Sequence, residues 1–321
     1  MSEGAVYDVV LTREQLHYLA RYVAGGPSPA SPFHGVTPPE SLPQPALDDL
    51  VARKLLGPEG VEPGLFRVMG RLHQAEAFAG FAVRGDVLES EAVTFFAGAE
   101  SVVLVHVAGG LRVVSPAPAA HLQELVDGLI GRGRRRDVAL DAALGVSESR
   151  VLAAAVDLLR RESLGSLLDA PVAPVMDGTI ADWIAREAPS AQWLVGHIAP
   201  LLARRGGAFE PRSVPALVAQ LVGRGLLVAG ANGLEPGAAL APLVRRMALL
   251  DHALELRAGR APAGAPPVTA DLVMVRADSG TVLLWEAQPD GSLRWVTPSA
   301  DEAKETALRV LTRADALAPA R

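Results

Sequence analysis

The chain has 321 residues, half of them hydrophobic, which is enough to bury one large core or two ordinary ones without covalent staples. Its formal net charge of −6 gives a whole-molecule field that does not recruit nucleic acid or anionic lipid. It contains no cysteine, which excludes disulfides, thiolate nucleophiles and thiolate metal sites and favours a reducing, cytoplasmic setting.

In chain order, "MSEGAVYDVVLTREQ" lacks a basic segment followed by an apolar one, so no export signal is expected. No apolar run reaches the roughly 20 residues that span a bilayer, and a soluble protein follows. "LTREQLHYLARYV" (Leu11–Val23) reads as a helix capped by Thr12. The Pro-rich stretch after it reads as an extended loop or tether, so residues 1–44 form a leading segment.

A first unit spans 45–131. Leu47, Leu50, Val51 and Leu55 recur at helical spacing until Gly57-Pro58 breaks the pattern, and a second helix fits Gly64–Ala79. The runs Phe81–Val87, Ala92–Phe96, Ser101–Val107 and Leu111–Ser115, separated by Gly-containing turns, predict an antiparallel meander. Pro116 and Pro118 end it, and a helix starts near Ala119.

Residues 132–211 read as a mostly helical insert, opening on "GRGRRRD" and holding further helices around Ile180–Glu187 and Gln192–Arg205. A second unit, 212–321, repeats the first with Val214–Gly225, a helix over Gly237–Arg257, strands at Ala270–Arg276, Thr281–Ala287 and Leu293–Thr297, and a closing helix over Ser299–Leu311.

The two units are copies. "LVARKLL" (Leu50–Leu56) returns as "LVGRGLL" (Leu221–Leu227), "VEPG" (Val61–Gly64) as "LEPG" (Leu234–Gly237), "SVVLVHVA" (Ser101–Ala108) as "TVLLWEAQ" (Thr281–Gln288), and "LRVVSP" (Leu111–Pro116) as "LRWVTP" (Leu293–Pro298). The order never changes, and the register drifts only between blocks, where loops tolerate insertion. The predicted fold is α+β: two similar halves from an internal duplication, a continuous or closely apposed central antiparallel sheet, flanking helical bundles and quasi-twofold symmetry, which pairs edges that would otherwise be exposed.

Chemistry is sparse in this sequence. His17, His34, His73, His106, His121, His197 and His252 include no pair at metal-ligand helical spacing, and His106 has Glu286 as its repeat partner. "GRGLLVAGANG" (Gly223–Gly233) lacks the Gly-Lys-Ser/Thr ending of a phosphate loop and reads as a turn after a helix. "GVSES" (Gly145–Ser149) lacks the last Gly of a nucleophile elbow and is placed among helices. Asp86, Glu89 and Glu91 read as a solvated turn. No catalytic residue, metal ligand or cofactor is expected.

Two features are weighed for binding. "DVALDAALGVSESRVLAAAVDLLRR", beside "GRGRRR", mimics a helix-turn-helix over 137–161. Its second helix offers Ala153, Ala154, Ala155 and Asp157 where base and phosphate contacts want polar and basic side chains, so DNA binding is the lesser reading. Trp285 and Trp295, alternating with Leu283 and Leu293 on neighbouring strands, are either core or an aromatic binding face.

The helix, "LxxRGLL"-like turn, "xEPG"-like step, helix, meander, "LRVVSP"-like strand and closing helix, written twice behind "LTREQLHYLA", resemble the EspG family of type VII (ESX) secretion chaperones. That resemblance implies a cytoplasmic, non-enzymatic adaptor that binds a helical PE–PPE-type secretion substrate and keeps it soluble. Separately, a monomer or homodimer is expected, with no cofactor, membrane or nucleic-acid partner. The family pattern has no match for the middle insert and a shorter Pro-rich stretch. It carries no contact residues to transfer; Leu283, Trp285, Leu293 and Trp295 are the expected partner-binding set. A homodimeric scaffold and a DNA-binding regulator are the competing readings.

Overall fold

In the computed structural model the described residues are 6–85, 89–116, 121–131, 139–168, 172–186, 192–206, 209–261 and 268–316. "GRGRRR" after Gly131 lies outside them. The first half runs β1 (Tyr7–Leu11), α1 (Arg13–Ala20), α2 (Gln44–Ala52), a small hairpin β2 (Leu56–Gly57) and β3 (Gly60–Val61), α3 (Pro63–His73), the meander β4 (Ala77–Gly85), β5 (Glu89–Ala97), β6 (Glu100–Val107) and β7 (Gly110–Ser115), then α4 (His121–Ile130). The second half begins with β8 (Asp141–Leu144) and α5 (Val146–Leu167), followed by α6 (Asp177–Ala185), α7 (Leu194–Arg204) and α8 (Val214–Gly223). It continues through the hairpin β9 (Leu227–Gly230) and β10 (Gly233–Pro236), α9 (Ala241–Arg246), β11 (Leu250–Arg260), β12 (Val268–Ala277), β13 (Val282–Ala287), β14 (Leu293–Val296) and α10 (Ala300–Ala316).

Ten of the strands form one antiparallel sheet in the order β1-β7-β6-β5-β4-β11-β12-β13-β14-β8. The order is palindromic: each half contributes a four-stranded meander and an edge strand, and the halves join where β4 pairs with β11 from Ala77↔Arg260 to Gly85↔His252. That junction buries the edges each half would otherwise expose. The fold is α+β with one continuous central sheet.

The sheet face alternates along each strand, and the apolar sets follow that alternation. One face packs on α4 and α10 over its middle, with Phe81, Leu254, Leu256 and Met274 meeting Val126, Ala303 and Ala307. The other face carries two separate helical lobes. The first, α1–α3, covers β1 and β5–β7 through Leu16, Leu65, Met69, Phe95 and Val113. The second, α5–α9, covers β11–β14 through Val151, Leu152, Ile198, Leu221 and Leu243.

Local chemistry explains the entries to the lobes. Thr12 and Gln15 form a reciprocal capping box on α1, the Gln15 N–H donating to the Thr12 hydroxyl at 3.1 Å and the Thr12 N–H to the Gln15 amide oxygen at 2.9 Å. Helices α2 and α8 both end in a 6→1 closure, Leu55 N–H to Leu50 O and Leu226 N–H to Leu221 O. The left-handed residue of each closure is Lys54 (φ 58°) in one copy and Gly225 (φ 68°) in the other.

Three expectations need correction. The segment Gly64–Ala79 is helical only to His73, and its end is already β4; likewise Gly237–Arg257 holds the short α9 and then strand β11. Both strands lie in the middle of the sheet, with α4 and α10 against one face and parts of the lobes against the other, so apolar residues fall on both faces and strict alternation is lost. The stretch read as the first helix of a DNA-binding hairpin is strand β8, which pairs with β14. Its partner helix α5 is buried from Val151 to Arg160, so the face a recognition helix would present is core. For the same reason residues 132–211 do not stand apart from the second unit: β8 closes its sheet and α5–α7 sit on it.

Candidate functional site

The middle of the lobed face is uncovered because the two lobes stop short of each other. What remains is a groove of about 500 Å³ astride the β4–β11 seam. One wall is the Pro29–Ser31 loop of the first lobe and the other is α7, through Pro200 and Arg204. Pro200 lies inside α7, where it removes one backbone donor from the helix.

The floor is apolar with an aromatic centre. Phe78 of β4 lies 6.4 Å from Phe95 of β5, centroid to centroid, and the Arg257 guanidinium carbon stands 5.5 Å from the Phe78 centroid. The ring rests over Gly259 of β11, where an added Cβ would fall 2.5 Å from Phe78 Cε1. Glycine at 259 is therefore what lets the ring lie flat across the seam. Ala82 and Val93 extend the floor and are half-buried.

Charges of both signs line the rim. Arg204 Nη2 contacts Glu255 Oε1 at 2.6 Å, and its Nε lies 3.4 Å from Asp271 Oδ1. Arg257 Nε approaches the same oxygen at 3.5 Å and Arg205 Nη2 approaches Oδ2 at 3.9 Å. Asp271 is only 4% exposed and lies among these three guanidinium groups. Arg84 and Glu91 complete the rim. Glu89 and Glu91, expected in a turn, stand on β5, and Glu91 faces His106 at 3.8 Å.

Leu283, Trp285, Leu293 and Trp295 lie on this same sheet face, but under the second lobe rather than in the groove. All four are fully buried. Trp285 and Trp295 are direct cross-strand partners, edge to face with centroids 5.3 Å apart, and the Trp295 Nε1–H donates to Ser149 Oγ at 3.0 Å. The expectation of an exposed aromatic face is corrected: the pair is core. "GVSES" turns out to follow a strand, β8, and its second serine is this buried acceptor. A signal for the burial was present in "VLAAAVDLL", a helix apolar on all sides, which must lie between a sheet and other helices.

Sequence reasoning missed the groove residues because no motif marks them; they are brought together only by the pairing of β4 with β11. It also missed the polar anchor of the second lobe. Buried Asp157 on α5 accepts the N–H groups of Leu194 and Val195 at 2.9 and 3.0 Å, so it caps α7, and it pairs with buried Arg160 at 2.8 Å. Arg160 also donates to the carbonyls of Met247, Ala248 and Gln192. Burial pushes the Asp157 carboxyl up to about 6 against the opposing pull of Arg160 and the two N–H donors. This hub fixes α7, and hence one wall of the groove. Among the described residues no helix is long and apolar enough to cross a membrane.

No protein-family model matches the chain, and no curated protein matches it. Among solved structures it is similar to the Mycobacterium tuberculosis type VII secretion system chaperone EspG5, solved in complex with a PE25–PPE41 dimer. Identity is 12%, the match covers 96% of this chain and 97% of that one, and the TM-score is 0.47. EspG is the family whose repeated pattern the sequence resembles.

Proposed function

We propose that the chain is a non-enzymatic cytoplasmic adaptor that holds a helical secretion client, of the PE–PPE type, in the groove astride the β4–β11 seam. The observation that carries this reading is the groove itself: an apolar floor of Phe78, Ala82 and Val93 inside a rim of arginines and carboxylates, left open between the two lobes. An amphipathic helix lays its apolar face in such a groove and pairs its flanks with the rim. Covering the client's apolar face contributes roughly 25 cal/mol per Å² removed from water, and it keeps that face from other copies of the client. The sequence resemblance supplies the class of client.

The test is Ala82→Arg, which places a long charged side chain on a half-buried floor position without touching the lobes. Tagged wild type drawn from its native host at high salt should retain a helical PE–PPE-type pair in stoichiometric amount, and Ala82→Arg should lose it while keeping its thermal transition. Equal retention by both proteins removes the groove from the account; failure of the wild type to retain any such pair removes the client class.

A further inference from the structure

Among the described residues the sheet has two open edges, β1 and β8, and each presents outward backbone groups that another strand could use. Both edges are short and mostly apolar, "YDVVL" and "DAAL", and Val10 is 40% exposed. Each is met by the same device. At the first, Arg53 Nη2 donates to the Val10 carbonyl at 2.8 Å; at the second, Arg224 Nη2 donates to the Ala143 carbonyl at 2.6 Å. The two arginines are the C-cap residues of α2 and α8 and occupy the same place in "LVARKLL" and "LVGRGLL". Each is steadied by a carboxylate, Arg53 by Asp49 at 3.1 Å and Arg224 by Glu148 at 3.3 Å.

The rest of the edge is duplicated too. Val10 stands opposite Arg112 and Ala143 opposite Arg294. Two residues before each, Asp8 and Asp141 take those arginines bidentately, with Nε–Oδ1 distances of 2.9 Å in both copies. The copies keep the edge chemistry although α5–α7 make the second lobe much larger than the first.

We propose that Arg53 and Arg224 guard the two sheet edges, each occupying the outward carbonyl that a second copy of this chain would need to extend the sheet. The occupant kept out is a second copy, because identical edges pair antiparallel about a twofold axis with no other partner required. A donor placed on a backbone acceptor also puts a positive charge where an incoming strand must lie, as edge lysines do elsewhere.

Sedimentation velocity on the full chain tests this across a hundredfold range of concentration. Arg53→Ala or Arg224→Ala opens one edge and should add a concentration-dependent species of twice the wild-type mass. The double variant opens both and should form open-ended oligomers, while Arg53→Lys with Arg224→Lys, which keeps the donors, should sediment as wild type. Adding Val10→Pro and Ala143→Pro to the double alanine variant removes the edge N–H groups and should restore the wild-type pattern. The proposal is overturned if the double variant sediments as wild type, or if its association survives the two prolines. Should the alanine pair fail to fold, Arg53→Met with Arg224→Met keeps the aliphatic stems and carries the same two readings.

Discussion

Asp157 shows how one side chain fixes a wall of the groove. It is fully buried between α5 and the start of α7, and its removal strands Arg160 among backbone carbonyls with no counter-charge. Asp157→Ala should therefore cost about 3–5 kcal/mol in urea unfolding, the range for breaking a buried pair from one side. The pH dependence has a definite sign. Because burial raises the Asp157 pKa from 3.8 to about 6, the folded protein binds more protons at this site than the unfolded chain between those values. Its contribution is thus fully present below about pH 4 and is lost as pH rises through about 6. Asp157→Asn cannot titrate, so its deficit against wild type should be larger at pH 5 than at pH 7, read from urea midpoints at the two pH values. A deficit that grows toward pH 7 would mean the carboxylate is held ionised instead.

The elements show what could be read from sequence and what could not. The closing strands β7 and β14 were legible because "LRVVSP" and "LRWVTP" keep both alternation and the proline stop. The helix–turn units ending α2 and α8 were legible for a similar reason, since the turn demands a left-handed residue after the helix. The central strands β4 and β11 were not, because residues such as Phe78 and Phe81, or Ala253 and Leu254, are covered from opposite faces and the run looks helical. Edge strands β1 and β8 escaped because "YDVVL" and "DAAL" share little beyond an aspartate, whose partner arginine lies more than a hundred residues away. The candidate groove was legible only as a sheet face: Trp285 and Trp295 lie on the same side of the sheet as the groove, but helix α5, not solvent, lies over them. The helix closures yield a paired prediction. Gly225 has φ 68° and open space around a would-be Cβ, so Gly225→Ala should cost about 1 kcal/mol from backbone strain alone. Lys54 already bears that strain at φ 58°, so Lys54→Gly should stabilise by a similar amount; equal and unfavourable effects at both sites would contradict the equivalence of the two turns.

On the scale of the whole molecule, duplication produces a sheet with a local twofold at its seam, and the groove lies on that seam. The flanking lobes are unequal: α1 has 8 residues and α5 has 22, and only the second lobe adds α6 and α7. A symmetric pair of strands therefore lies between asymmetric walls, a short loop at Pro29–Ser31 and the helix bearing Pro200 and Arg204. On the proposed function, a client seated there would meet a different wall on each side, and the two walls would set a single client direction. The ion pairs around Asp271 link Arg204 of the wall, its neighbour Arg205 and the rim residue Arg257 through one buried carboxylate.

The most direct test replaces single residues with a photoreactive amino acid in the native host and identifies the proteins joined on irradiation. Position 82 lies on the groove floor, and position 51 lies on the outer face of α2, where Val51 is 53% exposed. The account predicts that position 82 joins to a helical PE–PPE-type client while position 51 does not. Joining at position 51 with none at position 82 would contradict it and move the client off the sheet altogether.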